Sequence, residues 1–187
     1  MHFSTERLNM RPLKKSDAQQ FLCAVENSRK ELGEFLPWVE GLQTVQDAAR
    51  HIEPYILQAE LENGALLGIF LNEKLIGALY LHWVSEANES AAIGYWLSTK
   101  FTGQGYATES LEAFCKHLLD SGINRIEVHT ATSNIKSASL LKRVGFAEEG
   151  ICREYEKFHE KFVDHYRFSL LKKDFAKNFA APPCHNP

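Results

Sequence analysis

Ile93-Gly94-Tyr95-Trp96-Leu97-Ser98-Thr99-Lys100-Phe101-Thr102-Gly103-Gln104-Gly105-Tyr106-Ala107-Thr108-Glu109 passes from a short apolar strand into an amphipathic helix. Beyond Thr108, the residues Leu111, Phe114, Cys115, Leu118 and Leu119 recur at i, i+3, i+4, i+7 and i+8, the spacing of one apolar helix face. Gly103 and Gly105 occupy the turn between the two. Small residues there let the backbone approach a ligand and aim several N–H groups at one point, and a helix start adds about half a positive charge. The spacing predicts an anion site suited to a pyrophosphate. Glycine also serves plain turn chemistry, so the pair alone does not decide the matter.

The two better-known glycine loops fit poorly. Gly-Lys-Ser/Thr does not follow the turn, which excludes a P-loop. A dinucleotide fingerprint wants Gly or Ala where Thr108 stands, and a parallel βαβ unit at the chain start. Here the turn comes mid-chain, after an apolar hairpin with strands over 66–71 and 75–84 and a turn at Asn72-Glu73-Lys74.

Working outward, further strands are expected over 7–13, 91–98, 125–130, 146–153 and 162–171. Ser16-Asp17 can cap a helix running to about Lys30, and Thr44 a second through Ile52, Ile56 and Leu57, with Pro54 inside it. The clear helix over 108–119 stops at Gly122, and a short one over 135–144 stops at Gly145. This order predicts one α/β domain over 1–176, a mixed sheet with helices on both faces. Residues 177–187, with Pro182 and Pro183, read as a flexible tail.

The 187 residues are 44% hydrophobic and 24% charged with a net charge of −3, a globular composition that argues against nucleic-acid or anionic-membrane partners. The charge is uneven. Residues 26–62 hold eight acids and three bases, and the remainder 16 acids and 18 bases. The acidic stretch reads either as solvated helix faces or as a surface that attracts a cation. Cys23, Cys115, Cys152 and Cys184 lack zinc or redox spacing, and the first residues lack the apolar core of a signal peptide. A cytoplasmic setting follows as the expectation. His159 and His165 are not spaced for zinc, so metal is not expected.

With Gly94-Tyr95-Trp96-Leu97 and Gly103-Gln104-Gly105-Tyr106-Ala107-Thr108-Glu109 stand three further signatures: Asn134-x-x-Ser137, Val144-Gly145-Phe146 and Asp164-x-x-x-Phe168-Ser169-Leu170-Leu171. In this order they resemble the GCN5-related N-acetyltransferase (GNAT) superfamily, and more closely its ribosomal-protein N-terminal (serine/alanine) acetyltransferase branch. Lys100 departs from the Gln or Arg usual at the start of the superfamily loop. The loop binds through main-chain amides, so the departure matters little.

The resemblance implies a mostly antiparallel, twisted sheet splayed between its fourth and fifth predicted strands, those ending at Leu97 and near Thr130. It implies acetyl-CoA as co-substrate. The pyrophosphate would sit on the amides of Phe101, Thr102, Gly103, Gln104, Gly105, Tyr106, Ala107 and Thr108. The pantetheine arm would pair with the backbone at Trp96 and Leu97. Asn134 would bond the pantetheine region, or simply cap its helix.

Amine acetylation needs a base for the ammonium, a donor for the oxyanion and an acid for the leaving thiolate. Many superfamily members place a Tyr acid where this chain has Leu141. Ser137 is the remaining hydroxyl and matches the acid proposed for the ribosomal-protein branch, although it also reads as a first-turn residue satisfying a helix end. Glu156 matches that branch's base, or is an exposed carboxylate in the run Arg153-Glu154-Tyr155-Glu156-Lys157, with Glu154 as the fallback. A backbone N–H near Leu97 would hold the oxyanion. Phe35 and Trp38, among acids, would wall the acceptor site or else contribute to the core. The expected acceptor is a protein N-terminal α-amine. A polyamine or amine antibiotic, or acyl-CoA binding without turnover, stays open, as does monomer against homodimer.

Overall fold

The computed structural model describes residues 1–158 and 160–179. One eight-stranded sheet runs through them in the order β1-β2-β3-β4-β5-β6-β8-β7. The strands are β1 (Phe3–Ser4), β2 (Asn9–Pro12), β3 (Ala65–Leu71), β4 (Lys74–Ser85), β5 (Ser90–Leu97), β6 (Arg125–Ala131), β7 (Ala147–Phe158) and β8 (Lys161–Leu171). The helices are α1 (Ala18–Glu26), α2 (Arg29–Gly33), α3 (Trp38–Gly41), α4 (Val45–Glu60), α5 (Tyr106–Asp120), α6 (Ile135–Val144) and α7 (Lys172–Phe179).

The apolar run of β3 explains the layering. Leu67 and Ile69 join a core with Leu111, Phe114 and Leu118 of α5 and Leu141 of α6. Their neighbours Leu66 and Phe70 join a second core with Phe21 and Val25 of α1 and Ile52 of α4. A strand covered on both faces reads as a continuous hydrophobic stretch, because neither side alternates with water. β6 behaves otherwise. Ile126 and Val128 are buried toward α5 and α6, while Arg125, Glu127 and His129 are only half-buried on the other face.

β5 and β6 are parallel and pair only at Ser90↔Arg125, Ala91↔Ile126 and Ala92↔Glu127. Beyond that point the two strands carry no mutual ladder, which is the expected splay.

Several elements differ from the sequence reading. The helix expected to reach Lys30 breaks at Asn27-Ser28, where the Thr99 N–H donates to Ser28 Oγ at 2.8 Å and Ser98 Oγ lies 2.9 Å from it. That tie pulls the chain onto the end of β5, and a continuing helix would forfeit it. Thr44 does cap α4 by accepting from the Asp47 N–H, and the helix runs through Pro54. The first strand is shorter than expected and gains β1 as a partner. β7 extends to Phe158 rather than 153, with an irregularity between Cys152 and Glu156. Helix α7 crosses the boundary drawn at 176/177; residues 180–187 of the expected tail, and His159, lie outside the described residues. No helix among the described residues is long and apolar enough to cross a membrane.

Candidate active site

The glycine turn is built as its sequence demands. A short 3-10 turn over Thr99–Phe101 leads out of β5, and Gly103 and Gly105 then take φ of +77° and +83°. Both angles lie in the left-handed region, where a side chain costs about 1–2 kcal/mol. Gly105 is the N-cap of α5, so the first-turn N–H groups of Tyr106, Ala107 and Thr108 have no intrahelical carbonyl to bond. The N–H groups of Gly103, Gln104 and Gly105 also meet no carbonyl among the described residues. A Cβ at Gly103 would touch nothing within 4 Å, so the approach to these amides is open. Amides aimed outward from a helix start fit a pyrophosphate.

Arg7 secures this turn and was not singled out from the sequence. Its Nε donates to Glu109 Oε2 at 2.7 Å, its Nη1 to the Gln104 carbonyl at 3.1 Å, and its guanidinium lies 4.5 Å from the centre of the Tyr106 ring. Burial works against the charge of Glu109, but bonds from Thr5 and Arg7 hold its carboxyl below the usual value.

The free edge of β5 follows from the ladder. The Ser98 N–H donates to the Ile76 carbonyl at 2.8 Å, and Leu97 lies opposite Gly77. In an antiparallel pair the hydrogen-bonding direction alternates. Ser98 and Trp96 therefore bond toward β4, while the peptide groups of Leu97 and Tyr95 face the gap toward β6. Side chains alternate between faces as well. Tyr95 and Leu97 pack on the α5/α6 core, and Trp96 points into the other core, where its ring centre is 5.5 Å from that of Phe21 and 6.2 Å from that of Trp38.

Asn134 caps α6, its Oδ1 accepting from the Ser137 N–H at 3.1 Å. Ser137 Oγ lies 2.8 Å from the Tyr95 hydroxyl, which also donates to the Ser137 carbonyl at 3.3 Å. This phenol-to-hydroxyl contact joins β5 to α6. Burial raises the Tyr95 phenol to about 12, despite a partial offset from Ser137. Leu141, in the position of the common acid, is fully buried core.

Glu156 lies on the other face. Between the pairs Cys152↔His165 and Glu156↔Val163, three residues of β7 oppose the single Asp164. Glu154 takes φ of +49° there, and its N–H donates to Asp164 Oδ1 at 2.7 Å. The extra residues bulge outward and re-aim the strand. Tyr155 then stacks on His129 with ring centres 4.5 Å apart and meets His165 at 4.8 Å. Glu156 Oε2 comes within 3.4 Å of His165 Nε2. Burial raises the Glu156 carboxyl and lowers the His165 and His129 imidazoles, so the contact joins a carboxyl and a largely neutral ring rather than two full charges. Glu154, the fallback base, is exposed.

Trp38 belongs to an aromatic cluster, 4.5 Å from the His51 ring centre and 5.9 Å from that of Phe21. With His51, Leu42, Asp47 and Arg50 it lines an open hollow of about 280 Å³. Phe35 is half-buried in the turn between α2 and α3. Thus Trp38 takes the core contact held open as an alternative, with one edge left to the hollow. Cys115 is buried in the α5 core, which pushes its thiol strongly up, whereas Cys23 is exposed. Among the described residues, no group of three His, Cys, Asp or Glu is placed to hold a metal ion.

The "Acetyltransferase (GNAT) domain" family model matches residues 7–147, from Arg7 through the glycine turn and α6 to the start of β7. The chain belongs to the GNAT family. It is 30% identical over 176 residues to the N-acetyltransferase p20 of Bacillus licheniformis, covering 92% of this chain and 97% of that protein. It is 25% identical over 146 residues to the ribosomal-protein-serine acetyltransferase of Escherichia coli (strain K12), covering 78% and 80%. Its fold matches that of the ribosomal L7/L12 α-N-protein acetyltransferase RimL, solved with coenzyme A, at a TM-score of 0.87 and 23% identity over 91% and 98% of the two chains. It also matches RimJ of Mycobacterium smegmatis, solved with a CoA disulfide, at 0.83 and 24% identity over 93% and 84%. This GNAT protein is an acetyl-CoA-dependent N-acetyltransferase. The amide turn and the free edge of β5 suit the diphosphate and the amide-bearing arm of that co-substrate.

Proposed function

We propose that this enzyme transfers acetyl to the α-amine of a protein N-terminus, of the kind that ribosomal proteins present. The observation that carries the reading is that the β5/β6 gap separates two chemistries. On the α5/α6 face lie the amide turn, Tyr95 and Ser137; on the opposite face lie Glu156, His165, His129 and Tyr155. A donor held on one face can meet an acceptor on the other only through the gap. The E. coli relative acts on a ribosomal protein, by its name, and that supports the choice of acceptor.

In this reading the amides from Gly103 to Thr108 hold the diphosphate, those of Phe101 and Thr102, also expected there, being taken by the Ser98 and Thr99 carbonyls at 2.9 and 3.2 Å; the Leu97 and Tyr95 peptide groups bind the arm as an added strand. The Leu97 N–H then stands where negative charge develops on the acetyl oxygen. Glu156 takes the proton of the incoming ammonium; its raised carboxyl is a stronger base than an exposed glutamate. Ser137 gives a proton to the departing sulfur. Tyr155, 51% exposed beside Glu156, offers an aromatic platform on which the residues behind a peptide's terminal amine can lie. The acidic stretch over 26–62 surrounds Trp38 and suits a cationic terminus.

An acceptor panel tests the assignment. Thiol release from acetyl-CoA is measured with N-terminal serine and alanine peptides, spermidine and an aminoglycoside. Peptides should turn over with the higher kcat/KM. Preference for the polyamine or the antibiotic would contradict the assignment, and binding of acetyl-CoA with no turnover on any acceptor would leave a binding protein instead.

A further inference from the structure

The contact between Tyr95 and Ser137 raises a question that Ser137 alone does not answer. An aliphatic hydroxyl is a very weak acid, and a serine that protonates a thiolate unaided is left as an alkoxide. A better acid lies against it. The Tyr95 hydroxyl is 2.8 Å from Ser137 Oγ and 3.3 Å from the Ser137 carbonyl, so the shorter approach is to the hydroxyl. Of the two hydroxyls the phenol is the stronger acid and the alcohol the stronger base. The phenol's one proton can go to either Ser137 oxygen, and when it goes to the nearer Oγ the Ser137 proton is free to turn into the gap.

We propose that Tyr95 positions the Ser137 hydroxyl and resupplies its proton, so that the two hydroxyls act as one relay to the leaving sulfur. This rests on the reading of Ser137 as the acid. As the carbon–sulfur bond breaks and sulfur keeps the electron pair, Ser137 passes its O–H proton to sulfur. Tyr95 passes its own proton to Ser137 Oγ and is left as a phenolate, and solvent water restores the phenol. Three features of the fold support the arrangement. Tyr95 sits on β5 two residues before Leu97, at the splayed end of the strand. Asn134 pins the first turn of α6 through the Ser137 N–H, so the serine has a fixed backbone. The titratable group facing the pair from the third element, α5, is Cys115, whose burial keeps it a neutral thiol. The phenol thus enters each turnover protonated. With Leu141 in place of the common tyrosine acid, this β5 tyrosine brings a phenol to α6 from the opposite wall.

The test compares Tyr95→Phe, Ser137→Ala and the double variant. Tyr95→Phe keeps the ring and removes only the hydroxyl. Steady-state kinetics on the best acceptor of the panel give kcat and the acetyl-CoA KM. The ultraviolet absorbance of the thiolate gives the titration of bound CoA, which needs no acceptor. Each single variant should lower kcat by about 10-fold or more, with acetyl-CoA affinity within about 2-fold of wild type. The double variant should be no slower than Ser137→Ala alone, because a relay is lost once. Bound CoA should hold its thiol proton to higher pH in Tyr95→Phe, since Ser137 without the phenol behind it donates a weaker hydrogen bond to the thiolate. A merely structural tyrosine would lower acetyl-CoA affinity, multiply with Ser137→Ala and leave the bound thiol unmoved; any of those results, or full activity in Tyr95→Phe, overturns the relay. If Ser137→Ala is fully active while Tyr95→Phe is slow, the assignment of Ser137 fails and the relay with it. If no acceptor turns over, the acceptor reading fails, and the titration of bound CoA still decides on Tyr95.

Discussion

Arg7 and Glu109 stand 102 residues apart in the chain and hold opposite ends of one turn together, Arg7 Nε lying 2.7 Å from Glu109 Oε2 while Arg7 Nη1 reaches the Gln104 carbonyl. The short segment before β2 thus fixes the outer rim of the amide turn. Arg7 is partly exposed, so the ion pair itself contributes at most about 1 kcal/mol to folding. Its consequence lies in the geometry of the turn. Arg7→Ala should weaken acetyl-CoA binding by about 3- to 10-fold and shift the melting temperature little, as read by calorimetry on the apo and loaded protein. Equal affinity in the variant would show that the turn holds its shape unaided.

Gly105 makes a sharper case. Its φ of +83° is hostile to a side chain, and an added Cβ would lie 3.3 Å from Arg7 Nη2. Gly105→Ala should cost about 1–2 kcal/mol of stability and pull the turn out of register. Thermal denaturation with and without acetyl-CoA should show both a lower baseline and a smaller ligand-induced rise.

Ser28 tests the break between α1 and α2. Its buried Oγ accepts from the Thr99 N–H and meets Ser98 Oγ. Ser28→Ala leaves the half-buried Thr99 N–H without its partner, at a cost of about 1 kcal/mol. For a chain of this size each kcal/mol shifts the melting temperature by about 2–4 °C. A melting temperature equal to wild type would show that water replaces the hydroxyl.

His51 governs part of the acid stability. Burial lowers its imidazole from 6.5 to about 4. The unfolded chain therefore binds this proton first, and stability falls as pH drops from 6.5 toward 4. The term amounts to roughly 2–3 kcal/mol over that window. His51→Gln should flatten the decline, measured as denaturation midpoint against pH; an unchanged slope would place the effect on other buried groups.

How much of this was legible in the sequence follows from the range of each contact. Gly103 and Gly105, the α5 periodicity, the Thr44 cap and Gly145 are local signals, and they placed the amide turn, α5, the start of α4 and the end of α6. Spacing says nothing about partners far along the chain. The pairing of Tyr95 with Ser137 spans 42 residues and that of Ser28 with Thr99 spans 71, so neither leaves a pattern. Tyr95 was visible inside Gly94-Tyr95-Trp96-Leu97, yet only strand alternation about the splay gives its hydroxyl a direction. The β7 bulge was hidden too, because the charged run from Arg153 to Lys157 reads as a loop. Once the strand continues through it, Tyr155 meets His129, and Glu156 comes to His165.

Glu156, on the face opposite Ser137, is the residue assigned here to take the acceptor's proton. The most direct measurement is the pH dependence of kcat/KM for a peptide acceptor in wild type and in Glu156→Gln. Wild type should show an acid limb above the ordinary carboxyl value of 4.5, because burial raises Glu156 and activity with Glu156 as the base needs it ionised. In Glu156→Gln that limb should vanish and the plateau should fall by about 100-fold, with acetyl-CoA affinity kept. A variant with the wild-type plateau and the same acid limb would show that Glu156 is not the base.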